Sequence, residues 1–151
     1  MAAIPSLRLS ARDRSQDASF TLKKAEKRDW KSSGNSVSCK RILIVGHGSI
    51  GKRHLRIARQ TLPNADIRVF RHQACTETPA QANACFNTRE AMQAFSPEIA
   101  VIANPAPFHV AIARELIELN CHLLIEKPIA ANSAEIDVLL RLAQANQRII
   151  Q

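Results

Sequence analysis

The chain has 151 residues, 46% of them hydrophobic, with five Phe, one Trp and no Tyr, which gives room for one ordinary domain around an aliphatic core. No apolar run approaches the roughly 20 residues that span a bilayer, and the N-terminus lacks the apolar stretch of a secretory signal. The net charge of +8 divides evenly: eight Lys/Arg against four Asp/Glu in residues 1–39, and thirteen against nine in residues 40–151. The excess is densest at the N-terminus, but that segment carries four acids and no aromatic interleaving, which argues against a nucleic-acid partner.

Residues 1–39 alternate charged and small polar side chains and bury too little surface to offset ordering entropy, so they are expected to form a disordered basic tail. A short helix around Leu22–Trp30 is the one element they could hold. Met1–Arg12 has Arg and Ser without acids, in the manner of a transit peptide, until Asp13 and Asp17 interrupt it. Cys39, Cys75, Cys85 and Cys121 lie far apart with no CxxC pair. That spacing fits free thiols in a reducing cytosol better than a disulfide framework or a zinc site, so a cytoplasmic location and no metal are expected.

From Lys40 the pattern alternates strand and helix. Arg41–Val45 (RILIV) reads as a buried parallel strand, followed by a glycine turn and a helix over Ser49–Thr61 closed before Pro63. Asp66–Phe70 is a second strand; residues 71–84 read as loop, with a very short strand at Cys85-Phe86. Asn87–Glu90 resembles a capping box for a helix through Phe95, and Ile99–Ala103 is a further strand. Pro107 opens a helix to Leu119 with Asn120 as C-cap, and His122–Ile125 is the next strand. Asn132–Glu135 caps a last helix, on which Ile136, Leu139, Leu140 and Ala143 share one face. Arg148–Gln151 begins another strand. The expected fold is α/β: a Rossmann-type doubly wound parallel sheet with helices on both faces over residues 40–151.

Three of the four glycines, Gly46, Gly48 and Gly51, form G-H-G-S-I-G between the first strand and its helix. Gly46 permits the tight turn, Gly48 lets backbone approach a pyrophosphate, and Gly51 allows helix and strand to pack closely. The helix N-terminus then offers free N–H groups and partial positive charge to the phosphates. Gly46–Lys52 also matches the front of a P-loop, G-x-x-x-x-G-K, but Arg53 stands where the Mg²⁺-binding Ser or Thr is required. A ribose-binding acid is expected at the end of the second strand; Arg71-His72 follows instead. Arg71 would pair with a 2′-phosphate or stack on adenine, which tilts the cofactor from NAD toward NADP.

Two further stretches, Asn104-Pro105-Ala-Pro-Phe-His109 after a strand and Glu126-Lys127-Pro128 after the next, join the glycine motif to give a pattern that resembles the glucose–fructose oxidoreductase/inositol dehydrogenase (Gfo/Idh/MocA) family. The likeness covers residues 40–151. It implies that Gly46, Gly48, Ser49, Ile50 and Gly51 touch the pyrophosphate, and that Asn104, Pro105 and His109 line the nicotinamide side. It further implies that Glu126 holds the nicotinamide ribose and that Lys127, before an often-cis proline, orients the substrate hydroxyl and assists its proton transfer. The implied activity is hydride transfer between NAD(P) and a sugar, cyclitol or related hydroxyl or carbonyl. The family follows this domain with a larger substrate domain, which this sequence lacks, so the chain reads as a truncated, catalytically incomplete form. An uncovered sheet edge would then favour self-association. A non-catalytic dinucleotide-binding or redox-sensing module is the alternative. His47 and His54, beside the glycines, receive no catalytic role, and Lys52, Arg53, Arg56 and Arg59 read as a solvated helix face.

Overall fold

The computed structural model describes residues 39–151. The expectations for the tail and for a helix at 22–30 fall outside the described residues. The elements are β1 (Arg41–Val45), α1 (Ser49–Thr61), β2 (Asp66–Phe70), β3 (Ala84–Phe86), α2 (Arg89–Phe95), β4 (Ile99–Ile102), a 3₁₀ turn (Ala106–Phe108), α3 (His109–Glu118), β5 (His122–Ile125) and α4 (Ser133–Ala145). The five strands form one parallel sheet in the order β3-β2-β1-β4-β5. Ile150 adds a parallel bridge to Leu123, so Arg148–Gln151 runs beside β5 as the sequence pattern predicts.

Alternation along β1 divides the core. Ile42 and Ile44 face one side with Leu55 of α1 and Ile67 and Val69 of β2. Leu43 and Val45 face the other, against Met92 of α2, Leu116 and Ile117 of α3, and Leu139 of α4. Helices therefore cover both faces, and strands buried on both sides read as continuous apolar runs. Each such fully buried aliphatic side chain stabilises the fold by about 1.5–3 kcal/mol.

The register aligns the carboxyl ends of the strands. Val45 pairs with Phe70 on one side and Ile102 on the other, and Ile102 pairs with Ile125. Backbone bonds just past these residues tie the ends together: Gly46 N–H to Phe70 O, Ala103 N–H to Val45 O, and Glu126 N–H to Ile102 O, at 2.8, 2.8 and 3.0 Å. The loops that leave β1, β2, β4 and β5 consequently share one rim.

Several local expectations are corrected. The α2 cap is Thr88, whose Oγ1 accepts Ala91 N–H, so Asn87 and Glu90 do not form the capping box. Pro107 lies in the 3₁₀ turn, and α3 starts at His109. On α4 the cap is Asn132, as expected, but Leu140 is 51% exposed; Leu139 and Ala143 carry the buried face. Arg59 is no solvated side chain. Its guanidinium donates to Pro63 O, Ala65 O, Gln81 O and Asn83 Oδ1, pinning two loops to α1. The cysteines are not all free either: Cys75 and Cys85 form a disulfide, because residues 71–83 fold back along β3 and bring two distant positions together. Among the described residues no helix is long and apolar enough to cross a membrane.

Candidate functional site

The rim opens into a cleft of about 730 Å³, within the range typical of small-molecule sites. Gly46, Gly48, Ser49 and Ile50 form one wall, Arg71 and His72 a second, Asn104 and Pro105 a third. The turn between β1 and α1 is built by glycine chemistry. Gly46 has φ +94°, and a Cβ there would stand 2.8 Å from Ala103 O. Gly51 is buried, and a Cβ would meet Gly46 O at 2.2 Å. A Cβ at Gly48 meets nothing within 4 Å, so its backbone faces open cleft. Gly46 and Gly51 thus shape the turn, while Gly48 leaves the space that a ligand would fill.

The local field suits an anion. The first turn of α1 holds no acidic residue, so its free N–H groups and partial positive charge are not offset. Arg71 lies on the adjoining wall. His47 also lines the cleft; burial first, then the charges of Lys52 and Arg71, lower its pKa and favour the neutral ring.

Beside the glycine turn, at the end of β4, the Oδ1 of Asn104 is buried and has no hydrogen-bond partner. Buried polar atoms rarely stay unpaired, and this one belongs to a residue of the cleft lining. An open glycine cradle and an orphaned acceptor in one cleft fit a ligand that carries both an anionic group and a hydrogen-bond donor, as a nicotinamide dinucleotide does.

The remaining candidates take different places. His109 is 1% exposed and does not line the cleft. Its Nδ1 lies 3.0 Å from Pro128 O and its Nε2 2.7 Å from Asn104 O, so the ring bolts the β4–α3 loop to the turn after β5. The expectation that it lines the nicotinamide side is replaced by this indirect role, because both polar atoms of the ring are already used. Glu126 sits at the end of β5, where its Oε1 meets His54 Nε2 of α1 at 2.5 Å. That hydrogen bond is the chief cause that holds the Glu126 carboxyl below its ordinary pKa. Lys127 is exposed beside it, and the Lys127–Pro128 bond is cis.

The sequence reading assigned no role to His47, His54, His72 or Phe108. His72 and Phe108 line the cleft from different loops and face each other with ring centroids 5.7 Å apart. His54 carried a usable signal, since it lies one helical turn past Gly51 on the helix that the glycines position. The aromatic contact carried none, because its partners come from loops of irregular conformation.

Comparison with known proteins agrees with this geometry. Residues 40–151 match the family described as an oxidoreductase family with an NAD-binding Rossmann fold, Gfo/Idh/MocA. The chain belongs to that family. Among solved structures, UDP-N-acetylglucosamine 3-dehydrogenase GnnA from Acidithiobacillus ferrooxidans is 27% identical with a TM-score of 0.64; the match covers 73% of this chain and 37% of GnnA. GenD2 from gentamicin A biosynthesis, in complex with NAD, is 22% identical with a TM-score of 0.64 and shares the fold over 74% of this chain and 34% of its own. The WlbA dehydrogenase from Chromobacterium violaceum, in complex with NADH and UDP-GlcNAcA, shares it at 20% identity, a TM-score of 0.62 and the same coverage. The chain thus spans about a third of the length of these relatives. No curated protein matches it.

Proposed function

We propose that this chain is the NAD(P)-holding domain of an oxidoreductase that moves hydride between nicotinamide and a hydroxyl or carbonyl carbon of a sugar, cyclitol or related metabolite. The observation that carries the reading is the rim cleft that joins the Gly48 cradle to the orphaned Asn104 Oδ1. In this reading the backbone at Gly46, Gly48, Ser49 and Ile50 receives the pyrophosphate, with Gly51 holding α1 against the turn. Asn104 and Pro105 take the nicotinamide side, His109 fixes them from behind, and Glu126 accepts from the nicotinamide ribose. The bound nicotinamide supplies the hydride donor or acceptor.

Lys127 would orient the substrate hydroxyl and exchange its proton. Its position at the carboxyl end of a parallel strand is where open α/β sheets gather ligands. A sugar-type substrate is supported by the name of GnnA, a relative above 25% identity. Catalysis also needs the substrate held in attack geometry, and one exposed lysine cannot supply that, so the groups that hold the substrate would come from outside residues 40–151.

For the cofactor's second phosphate, the support is Arg71 on the cleft wall at the end of β2, with no acid at that strand end. An arginine there favours NADP, whereas the NAD and NADH in related structures favour NAD. Calorimetric titration of the full chain with NADPH and NADH is the test. We expect binding that Gly48→Val abolishes without unfolding the protein, and Arg71→Ala should weaken NADPH about tenfold or more while leaving NADH nearly unchanged. No binding of either dinucleotide would sink the reading.

A further inference from the structure

The segment between β2 and β3 is irregular, yet it is fixed at several points. At its start Arg71 N–H donates to Phe86 O at 3.0 Å. At its end Asn83 N–H donates to Ile67 O at 2.7 Å, while Asn83 Oδ1 accepts from Ile67 N–H at 2.8 Å and from Arg59 Nη2 at 2.6 Å. Between these anchors Cys75 is bonded to Cys85 of β3, with Cα atoms 5.8 Å apart. Residues 72–74 therefore form a small arch with both feet on β3, one a hydrogen bond and one a disulfide. That arch carries His72 and Gln73 on the cleft wall, with His72 against Phe108 on the far side.

We propose that Cys75 and Cys85 are a thiol–disulfide couple that sets the affinity of the cleft for its dinucleotide. The inference rests on the reading that the cleft takes a dinucleotide. Both cysteines are partly exposed on the edge strand and its adjoining loop, so a small thiol or disulfide reaches them. The other two thiols are less reactive. Burial pushes Cys121 up to about 12, and burial together with Glu98 raises Cys39, which keeps both from the thiolate form that exchanges.

The chemistry is ordinary exchange with a small-molecule disulfide such as oxidised glutathione. One protein thiolate attacks its S–S bond and expels the first glutathione thiolate; the second protein thiolate then attacks the mixed disulfide and expels the other. The two cysteines lose two electrons and two protons, and two glutathione thiols form. A dithiol reductant reverses the steps.

With the bond open, the first fixed point after Arg71 becomes Asn83. The free segment then grows from three residues (72–74) to eleven (72–82). The three-halves-power dependence of loop closure on length makes its single bound arrangement roughly sevenfold rarer. The oxidised form is pre-organised, and pre-organisation raises affinity by lowering the ordering cost of binding.

The test titrates the full chain with NADH and NADPH by calorimetry, after treatment with oxidised glutathione or with dithiothreitol, and maps the Cys75–Cys85 bond by peptide mass. We expect Kd to be roughly sevenfold lower in the oxidised form, reversibly. The double variant Cys75→Ser/Cys85→Ser should keep the weaker Kd under both treatments. Equal affinity in the two states, tighter binding when reduced, or no Cys75–Cys85 bond after oxidation would each overturn the inference and leave the proposed function standing. No binding in either state would remove both.

Discussion

Along β1 and α1 the cleft wall is backbone, whereas across β4 and β5 it is set by side chains. In the first region Gly46 turns at φ +94°, Gly51 packs so closely that a Cβ would lie 2.2 Å from Gly46 O, and Gly48 faces open space. In the second, His109 bridges Asn104 O and Pro128 O, and His54 reaches across from α1 to Glu126. The backbone wall owes its shape to the absence of atoms, and the wall across β4 and β5 is held from behind by a few part-buried side-chain hydrogen bonds. The first should therefore respond to substitution in an all-or-none way, the second by degrees.

The largest effect is expected at Gly51. An alanine there drives Cβ into the Gly46 carbonyl, which is backbone and cannot swing aside. Overpacking of this kind costs about 3 kcal/mol or more, so Gly51→Ala should unfold at markedly lower urea or fail to accumulate folded protein. Gly48→Ala, with nothing within 4 Å, should stay within about 0.5 kcal/mol of the parent. Equal stability of the two variants would break the distinction between a packing glycine and a cradle glycine.

Next comes the bolt. His109→Ala removes a buried ring that lies within hydrogen-bond distance of the Asn104 and Pro128 carbonyls, takes away the N–H that serves them and opens a gap beneath the β4–α3 loop. An unsatisfied buried group costs about 1–3 kcal/mol, and the lost packing adds to it. We expect a total of about 2–4 kcal/mol by urea denaturation, partly restored by His109→Gln, whose amide can donate to one carbonyl. A loss below about 0.5 kcal/mol would mean that the two loops are held by something else.

The contrast also explains what could be read from the sequence. The strands β1, β2 and β5 and helix α1 follow expectation to the residue, because each strand carries a short run rich in buried aliphatic residues and the glycine turn marks where α1 begins. Gly46, Gly48 and Gly51 were legible because few physical needs explain three glycines at that spacing. The placement of His109 was not legible, since a motif does not tell whether a ring faces the cleft or the backbone behind it. The Cys75–Cys85 bond and the four contacts of Arg59 were hidden, because both depend on how an irregular loop folds back over β3 and α1. Leu140 misled for a different reason. It sits beside Leu139 on α4, and only the packing of α3 against α4 decides which of two adjacent leucines is buried.

The smallest expected effect, and the finest test of the side-chain wall, concerns His54 and Glu126. Their side chains are 21% and 36% exposed, so solvent screens the pair. The folded Glu126 carboxyl titrates below its ordinary value of 4.5. A carboxyl depressed in the folded state contributes stability that is present above 4.5 and is lost as pH falls through the lower folded value. His54→Asn should raise the Glu126 pKa toward 4.5, measurable by NMR of the side-chain carboxyl carbon. It should also lower Tm at pH 6 by about 1–3 °C, the equivalent of about 0.5 kcal/mol, and that difference should shrink as both proteins are taken toward pH 3. A Tm difference independent of pH, with an unmoved carboxyl titration, would show that His54 contributes packing alone. Glu126 would then be positioned by β5 without help from α1.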